Sequence, residues 1–475
     1  MDSALIAALR EVVGKAGIVE GVSATIPYES DGLAMIQRRP DLVLLPRDTA
    51  EVSACMRLLS KAGIPVVARG AGTGLAGGAT PVEGGVVVGT ARMRDVLEVR
   101  AEDRYARVQA GVVNVDLTRA CAKHGLYYAP DPSSQAACTI GGNVANNSGG
   151  PHCFRHGSTN RHVLGLVIVA ADGEIIDLSG PSTDPEGYDL VSLFCGSEGT
   201  FGITTEVTVQ LTPVPEVIET GLALFSGLSP ACDSVSDIIA RGLEPSAIEI
   251  LDRLTIEAVE QSIFAAGYPV DVEAVLLVEA EGNEVEVSST MAAIREILES
   301  RGATSVRTAR DAAERRQLWA GRKGAFGAMG RIAPDLYVAD AVVPRTKLRE
   351  LVERCIEICR ERDLRLANVF HAGDGNLHPN ICYDRRDADE VKRVLEAGEL
   401  ILRTCVEAGG SLTGEHGVGL EKRDAMDFLF SECDLATMTR VRRVWDPDAR
   451  LNPGKLIPVR ACLETRTRPL SEPGA

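Results

Sequence analysis

The sequence has no long hydrophobic run and no excess of positive charge. Its most apolar stretches, residues 163–171 and 275–278, are far shorter than the about 20 residues that a membrane-spanning helix needs. The chain has 50 basic and 67 acidic residues and a net charge of −17. Nucleic acids and anionic membrane surfaces are bound by clustered lysine and arginine. We therefore expect no direct membrane insertion and no nucleic-acid partner.

Closely spaced cysteines are also missing. The 12 cysteines are scattered without any CxxC pair. Iron–sulfur clusters need several thiolates at short spacing, so we expect none in this chain. The first residues lack a signal-peptide pattern, because charged residues interrupt the apolar ones, and they predict an amphipathic helix at residues 3–16. Together these features predict a reduced, cytoplasmic protein.

The 475 residues, 45% of them hydrophobic, are enough for two or three domains. One helix is predicted after Asp48, where Glu51 completes a capping box and Gly63 ends the helix. A second, similar helix spans residues 114–124 and stops at Gly125. Short strands are predicted around them at residues 42–45, 64–68, 85–88 and 105–109. Prolines near residue 215 mark a domain boundary, after which longer helical patterns begin.

A glycine-rich loop follows the strand predicted at residues 64–68. Gly72-Thr-Gly-Leu-Ala-Gly77 matches the G-x-G-x-x-G pattern of NAD-binding Rossmann domains, which need a helix to begin inside the motif. Further glycines and Pro81 follow, so no helix is expected there. The alternative is a loop whose successive N–H groups bind a diphosphate. A glycine-rich loop without a ligand also stays open at this point.

Further segments rich in Gly, Ser, Thr and Asn occur within the same predicted domain. They span residues 129–134, 139–143, 146–150 and 196–203. Several such loops in one domain suit a large cofactor that is threaded between two lobes. An adenine dinucleotide has this size.

Three of the seven histidines fall in two motifs, His371-Ala-Gly-Asp-Gly-Asn-Leu-His378 and Gly414-Glu-His-Gly417. If Asp374-Gly375 is a hairpin turn, His371 lies directly opposite His378, and Asn380 points to the same face. Two such histidines can share one metal ion, with Glu415 as a third ligand and His416 left beside it. Two other readings remain open, namely hydrogen-bonded structural histidines and a simple turn at Glu415-His416.

These motifs together resemble the FAD-binding family of vanillyl-alcohol-oxidase type. The resemblance runs from about residue 38 to 458 and is strongest to its 2-hydroxy acid dehydrogenases, which act on glycolate, D-lactate or D-2-hydroxyglutarate. It implies an α+β fold with a two-lobed FAD-binding domain and a substrate, or cap, domain that has an antiparallel sheet flanked by helices. The implied segments are an N-terminal helical segment at 1–37, an FAD-binding domain at 38–215, a substrate domain at 216–445 and a returning C-terminal segment at 446–475.

The resemblance also implies site residues. The pyrophosphate of FAD is expected at Arg69, Gly70, Ala71, Gly72, Thr73, Gly74 and Leu75. The rest of FAD is expected along Pro132, Ser133, Thr139, Gly141, Gly142, Asn146, Gly149 and Ile203, with Asn452 at the isoalloxazine. A divalent metal, zinc or manganese, is expected at His371, His378 and Glu415. Covalent relatives carry histidine where this chain has Thr73, so we expect noncovalent FAD.

The expected reaction is hydride transfer from C2 of a small 2-hydroxy acid to the flavin. His416 would accept the hydroxyl proton, Arg322 would bind the substrate carboxylate, and Asn380 is the third expected catalytic residue. An alternative reading of Arg322 is a surface arginine on an amphipathic helix. Relatives that act on substrates with a distal carboxylate carry a basic residue where this chain has Val338, which favours glycolate or D-lactate.

We expect glycolate as the substrate, with D-lactate as the alternative. A partner flavin subunit and an iron–sulfur subunit would receive the electrons, and the protein could associate with the inner membrane through them. Two less favoured functions are an NAD-linked dehydrogenase and a noncatalytic flavin-binding subunit. The missing helix after Gly77 argues against the first, and the intact metal motif argues against the second.

Overall fold

The computed structural model describes residues 1–178, 180 and 187–458, and the chain divides into two compact units. The first unit comprises Met1–Gly149, Ser158–Val214 and Glu415–Ala475, and the second comprises Gly150–Gly157 and Pro215–Gly414. The chain therefore leaves the first unit twice and returns to it twice. Of the predicted C-terminal segment 446–475, the part after residue 458 lies outside the described residues.

Helices occur in both units. In chain order they are α1 Ser3–Val13, α2 Val22–Thr25, α3 Thr49–Lys61, α4 Asn114–Cys121, α5 Ile140–Asn146, α6 Cys153–His156, α7 Leu190–Phe194, α8 Leu228–Ala240, α9 Arg253–Glu260, α10 Glu284–Ser300, α11 Ala312–Ala328, α12 Leu348–Arg360, α13 Ala388–Glu407 and α14 Glu432–Trp445. No helix among the described residues has both the length and the apolar character needed to cross a membrane.

Strands also occur in both units. In chain order they are β1 Ile18–Val19, β2 Leu42–Leu44, β3 Val66–Arg69, β4 Val86–Gly89, β5 Val96–Arg100, β6 Tyr105–Gln109, β7 Leu126–Tyr127, β8 Val163–Val169, β9 Ile175–Asp177, β10 Ile203–Gln210, β11 Thr212–Pro213, β12 Val217–Phe225, β13 Ala247–Asp252, β14 Ala274–Gly282, β15 Ser305–Thr308, β16 Asp335–Val338, β17 Ala341–Val342, β18 Arg365–His371, β19 Asn376–Leu377 and β20 Pro379–Tyr383. The four strands that the sequence predicts in the first 110 residues are confirmed as β2, β3, β4 and β6, with bounds that shift by at most two residues.

The first unit contains two lobes with separate sheets. One sheet has the order β1-β2-β4-β3, in which β2, β4 and β3 are parallel, and α1 and α3 pack on its buried apolar residues. The other sheet is antiparallel with the order β5-β6-β10-β8-β9, and it shares a core with α4, α5 and α7. Each sheet has its own hydrophobic core, and Val169 of β8 and Ile203 of β10 also pack in the core of the parallel sheet.

Local signals account for both ends of α3 and for the end of the helical segment that begins with α4. The side chain of Asp48 accepts a hydrogen bond from Glu51 N at 2.9 Å, and Gly63 follows the helix with φ of +65°. The Glu51 side chain binds Arg47 N instead of Asp48 N, so the predicted capping box is only half formed. The predicted similar cap of α4 is wrong, because Val113 precedes the helix and no side chain caps it. Gly125, with φ of +68°, ends that helical segment as predicted.

The second unit is built on an antiparallel sheet with helices packed against it. The strand order is β15-β12-β14-β13-β18-β19-β17, and β18 also pairs with β20, which pairs with β16. Leu251, Leu277 and Val369 form a core with α9 and α11 on one sheet face. Because side chains alternate along a strand, Glu249 lies on the same face as Leu251. The predicted antiparallel sheet flanked by helices is confirmed.

Residues 150–157 belong to the second unit although the first unit surrounds them in sequence. His152 Nε2 lies 3.0 Å from Glu279 Oε1, and His156 Nε2 lies 2.5 Å from Glu281 Oε1. Trp319 Nε1 also donates to Glu279, at 2.6 Å. Although burial raises the pKa of Glu279, the contacts with His152 and the other donors outweigh it and hold the pKa below its usual range. Two histidine–carboxylate contacts thus attach this short segment to β14.

Candidate functional site

The glycine-rich loop of the first unit begins where β3 ends, at Arg69. No helix begins between Gly70 and Gly78, and the next regular element is β4. The expectation that the loop would not start a helix is confirmed, and the NAD-binding Rossmann reading is therefore wrong. The loop presents its main chain without the helix terminus that a Rossmann site uses.

Two of the loop glycines are needed because neighbouring atoms fill the place of a side chain. A Cβ added to Gly70 would lie 2.3 Å from Thr139 Oγ1. Gly72 has φ of +73°, and an added Cβ would lie 2.1 Å from the Arg69 guanidinium. Since even alanine would clash at both places, the main chain itself forms the surface of this loop. Such a surface suits close approach of a diphosphate.

Other predicted cofactor residues lie beside this loop. Thr139, which approaches Gly70, also caps α5 by accepting a hydrogen bond from Gly142 N at 3.2 Å. A Cβ on Gly141 would lie 2.6 Å from the Ala110 side chain, so this helix start also requires glycine. The structure thus brings together the glycine loop and the start of α5. The remaining predicted cofactor residues lie in the same unit: Ala71, Thr73, Gly74, Leu75, Pro132, Ser133, Gly149 and Ile203.

The Arg69 side chain is held by contacts within the protein. Its guanidinium donates to Ser30 O at 2.8 Å and Pro27 O at 3.3 Å, and it lies over the Tyr28 ring. The side chain therefore braces the neighbouring segment 27–30. A contact between Arg69 and FAD stays a prediction.

A buried polar network connects the glycine loop to the C-terminal part of the first unit. Asn452 Nδ2 donates to Gly78 O at 3.0 Å and to Glu198 O at 2.6 Å. Lys455 Nζ donates to Gly78 O at 2.7 Å and to Asn452 Oδ1 at 2.5 Å. Burial lowers the pKa of Lys455 to about 7, although Asp31 and Glu198 act in the opposite direction. These contacts place Asn452 beside the glycine loop, and its contact with the isoalloxazine stays a prediction.

The segment with the two predicted functional residues Glu415 and His416 lies in the first unit. Asn146 Nδ2 donates to His416 O at 2.9 Å, so a predicted cofactor residue holds the main chain of the predicted base. The carboxylate of Glu198 accepts from Val418 N and Gly419 N, both at 2.7 Å. Sequence reasoning missed Glu198. Its one available signal was a charged residue within the Gly196-Ser-Glu-Gly199 turn.

In the second unit, His371 and His378 lie on one hairpin, but the predicted register is wrong. His371 pairs with Asn376, and Ala367 pairs with Asn380, so the loop contains four residues rather than the two of an Asp374-Gly375 turn. The error is two residues along the strand. A shift of two keeps every side chain on its face. The imidazole rings still meet, with centroids 5.1 Å apart and planes at 86°.

Each histidine has a buried carboxylate at Nδ1. Glu249 Oε1 lies 2.7 Å from His371 Nδ1, and Asp340 Oδ1 lies 3.6 Å from His378 Nδ1. Both carboxylates are fully buried. Asp340 also accepts from Thr413 Oγ1 at 2.5 Å and from Gly414 N at 3.0 Å. If His371 Nδ1 donates to Glu249, the ring lone pair lies on Nε2, which is the tautomer of a metal-binding histidine. Asp340 lies beyond hydrogen-bond distance of His378 Nδ1 and acts on this ring through its charge.

Arg322 and Asn380 surround the same pair. Arg322 is buried, its Nε donates to Glu249 Oε2 at 2.5 Å, and its Nη2 lies 3.3 Å from His371 Nδ1. The surface-arginine reading is therefore wrong. Asn380 Nδ2 donates to His378 O at 2.6 Å, while its buried Oδ1 has no hydrogen-bond partner among the described residues. Sequence reasoning missed Glu249, which contacts both Arg322 and His371.

The structure thus places the predicted site residues in two groups. His371, His378, Arg322 and Asn380 come together in the second unit, and Glu415, His416 and the predicted FAD residues belong to the first. The histidine pair with its two carboxylates can hold a divalent cation, and the glycine loop can hold a dinucleotide.

Family models match both parts of the chain. An FAD binding domain matches residues 40–179, and the C-terminal domain of FAD linked oxidases matches residues 214–456. The chain therefore belongs to the FAD-linked oxidases, and it is an FAD-binding oxidoreductase.

Named relatives cover nearly the whole chain. It is 47% identical to glycolate oxidase subunit GlcD of Escherichia coli (strain K12), over 96% of this chain and 91% of the relative. It is 39% identical to the GlcD subunit of Bacillus subtilis (strain 168), over 94% and 95% of the two chains. It is 32% identical to a D-lactate dehydrogenase of Anaerostipes hadrus, over 95% and 97%. These relatives confirm the predicted family.

Solved structures share the fold. A 4-ethylphenol oxidase from Gulosibacter chungangensis aligns with a TM-score of 0.80 at 20% identity, over 96% of this chain and 98% of that one. A p-cresol methylhydroxylase aligns with a TM-score of 0.79 at 15% identity, over 95% and 96%. The predicted α+β fold, a two-lobed FAD-binding domain with a cap domain, is confirmed.

Proposed function

We propose that the protein oxidises a small 2-hydroxy acid, glycolate, to its 2-oxo acid, glyoxylate, with noncovalent FAD and a divalent metal. The observation that carries this proposal is a group of buried polar side chains in the second unit. Two imidazoles meet there, each with a carboxylate at Nδ1, and a buried arginine lies against the same carboxylate as one of them. Carboxylate–histidine pairs of this kind orient metal ligands and raise their basicity.

The proposed metal ligands are His371, His378 and Glu415. Neutral imidazoles with Nε2 as the coordinating atom and one carboxylate make a His₂Glu set, which zinc and manganese both accept. The two histidines are supported by their ring geometry and by the buried carboxylates. Glu415 is proposed from the sequence, as the carboxylate next to the predicted base.

The other residues act on the substrate. When bound, FAD supplies the hydride acceptor and the metal supplies a Lewis acid for the substrate oxygens. His416 accepts the hydroxyl proton as general base. Arg322 binds the substrate carboxylate, for which the fork of its guanidinium is suited, and Glu249 keeps this guanidinium in place. Asn380 offers its buried Oδ1 to a substrate hydroxyl, because a buried acceptor without a partner is costly.

Glycolate is favoured over D-lactate on two grounds. The relatives at 47% and 39% identity are named glycolate oxidase subunits, whereas the D-lactate dehydrogenase of A. hadrus is 32% identical. Val338 is buried where relatives that act on a second carboxylate carry a basic residue, which favours a small substrate over 2-hydroxyglutarate. D-lactate oxidation is the second candidate.

The names of the relatives and the spacing of the cysteines both bear on the electron acceptors. The E. coli and B. subtilis relatives are named as subunits, and the sequence has no closely spaced cysteines that could bind an iron–sulfur cluster. We propose a second flavin subunit and an iron–sulfur subunit as partners. Through them the protein could associate with the inner membrane.

The proposal is tested with the purified chain, an artificial electron-accepting dye, and glycolate or D-lactate as substrate. We expect faster dye reduction with glycolate, a metal content near one per chain, and loss of activity in His416→Ala and after chelation. Full activity of metal-depleted Glu415→Ala would exclude the metal role. Faster reduction with D-lactate would favour the second candidate, and reduction with neither acid would overturn both.

A further inference from the structure

Three side chains of the first unit hold the main chain on both sides of the Gly417 turn. Asn146 donates to His416 O at 2.9 Å, and Lys422 Nζ donates to Gly417 O at 3.2 Å. Glu198 accepts from Val418 N and Gly419 N at 2.7 Å each. Four consecutive residues, 416–419, are thereby fixed through main-chain atoms.

Of the three side chains, Glu198 makes two of the four hydrogen bonds to this segment. It is a non-glycine residue with φ of +52°, a conformation that costs about 1 kcal/mol or more in an L-residue. Its carbonyl accepts from Asn452 Nδ2 at 2.6 Å, which fixes it in this conformation. A Cβ on Gly417 would lie 2.8 Å from Glu198 Oε1, so the turn fits tightly against the carboxylate.

The burial of Glu198 is also costly. Only 6% of the residue is exposed, and burial raises the pKa of its carboxyl, with the two main-chain N–H groups and two lysines, Lys422 and Lys455, opposing this. A glutamine would be easier to bury but has a single acceptor oxygen, and its NH₂ group would face one of the two N–H donors. Because the two N–H groups bind separate oxygens of Glu198, a carboxylate satisfies both in this geometry.

We propose that Glu198 is a positioning residue for His416, which it holds in place through the main chain of Val418 and Gly419. This inference rests on the proposed function, in which His416 is the base. A general base must lie within hydrogen-bond reach of the proton that it accepts, so a small shift of its backbone is enough to slow proton transfer. Glu198 acts through His416 and has no part in the chemistry itself.

The test is a double-mutant cycle with Glu198→Gln and His416→Ala in the FAD-loaded protein, with kcat expressed per bound flavin. General bases contribute about 10²–10⁴-fold, and we expect Glu198→Gln to lose part of this, about 10- to 100-fold in kcat. In the His416→Ala background the same substitution should cause no further loss, because residues that act as a unit are not additive. The solvent deuterium isotope effect on kcat should also rise in Glu198→Gln.

Glu51→Gln serves as the matched control. Glu51 is another buried carboxylate of the first unit that accepts a main-chain N–H, from Arg47 at 2.8 Å, and it does not contact residues 416–419. Its loss should lower the thermal midpoint and leave kcat and the isotope effect unchanged. If Glu198→Gln does not fold, Gly417→Ala disturbs the same contact from the opposite side and enters the same cycle.

The possible outcomes separate the two levels of the proposal. An equal loss from Glu198→Gln with and without His416, or no loss with His416 present, would overturn the positioning role. If His416→Ala alone keeps full activity, His416 is not the general base. The proposed function is then wrong in that residue role, and the positioning role of Glu198 is wrong as well. FAD content and thermal midpoint, measured for every variant, identify a loss of activity that comes only from unfolding or cofactor release.

Discussion

Replacing Glu249 with glutamine tests the proposed metal and substrate site of the second unit most directly. Its one carboxylate contacts both a proposed metal ligand and the proposed substrate-binding arginine. Glu249 Oε1 lies 2.7 Å from His371 Nδ1, and Oε2 lies 2.5 Å from Arg322 Nε. The exposed fractions of the two paired side chains, Arg322 and Glu249, are 5% and 0%. The glutamine loses the charge and can accept from only one of the two donors.

Glu249→Gln should change two quantities, the metal affinity and the stability of the fold. Loss of a carboxylate behind a metal-binding histidine costs about 10- to 100-fold in metal affinity, or about 1.4–2.8 kcal/mol. A buried arginine left without its partner costs about 3–5 kcal/mol of stability. We therefore expect a lower thermal midpoint together with a 10- to 100-fold weaker metal affinity, measured by titration of the metal-depleted protein and by elemental analysis.

Glu279→Gln is the matched control for this experiment. Glu279 is a buried carboxylate on the neighbouring strand β14, and its hydrogen bonds come from His152, Thr220 and Trp319. Its loss should lower the thermal midpoint while metal affinity stays at the wild-type value. Unchanged metal affinity in Glu249→Gln, or an equal loss in both variants, would refute the reasoning.

Three further predictions concern the first unit. Because Thr73 cannot form the covalent flavin bond that a histidine forms, acid precipitation should leave FAD in the supernatant, and flavin in the pellet would contradict this. Gly72→Ala should weaken FAD binding at least 10-fold, because its Cβ would meet the Arg69 guanidinium at 2.1 Å. Gly125→Ala is the matched control, since Gly125 has φ of +68° in the left-handed region and open space around it, and it should cost only about 1 kcal/mol of stability; fluorescence titration of FAD separates the two. Lys455, whose pKa falls from 10.5 to about 7 in the fold, should make the wild type about 2 kcal/mol more stable at pH 9 than at pH 7 relative to Lys455→Met. The unfolded lysine stays protonated in this window while the folded one loses its proton, so denaturation midpoints that rise equally with pH in both proteins would exclude the effect.

The elements of the fold were predictable where the signal is local. The cap at Asp48, the stop at Gly63 and the strand at residues 105–109 all depend on neighbouring residues, and the structure agrees with them. The face shared by His371 and His378 was predictable as well, because strand periodicity is two and the register error was also two. The loop length was not, since Asp374-Gly375 suits a two-residue turn as well as the longer one that forms.

The supporting residues of the site could not be found in this way. Glu249 meets His371 across 122 residues of sequence, and Glu198 meets Val418 across 220. Each is one acidic residue among 67, and no local pattern distinguishes it from the others. Their roles come from sheet pairing and from loop packing, which only the folded chain shows. A glutamate in a strand or turn that is otherwise apolar or glycine-rich is the signal that sequence reasoning can use.

The pairing of residues 450–452 with β3 bears on how the chain folds during synthesis. Val66 N donates to Arg450 O at 2.9 Å, and Asn452 N donates to Val66 O at 2.8 Å, so the parallel sheet that precedes the glycine loop gains its last neighbour from the far end of the chain. Synthesis must therefore reach residue 452 before this edge of the sheet can pair. Until then the second unit, whose main segment ends at Gly414, can already fold. The outer edge of β3, which precedes the glycine loop, therefore stays unpaired through the synthesis of more than 350 residues.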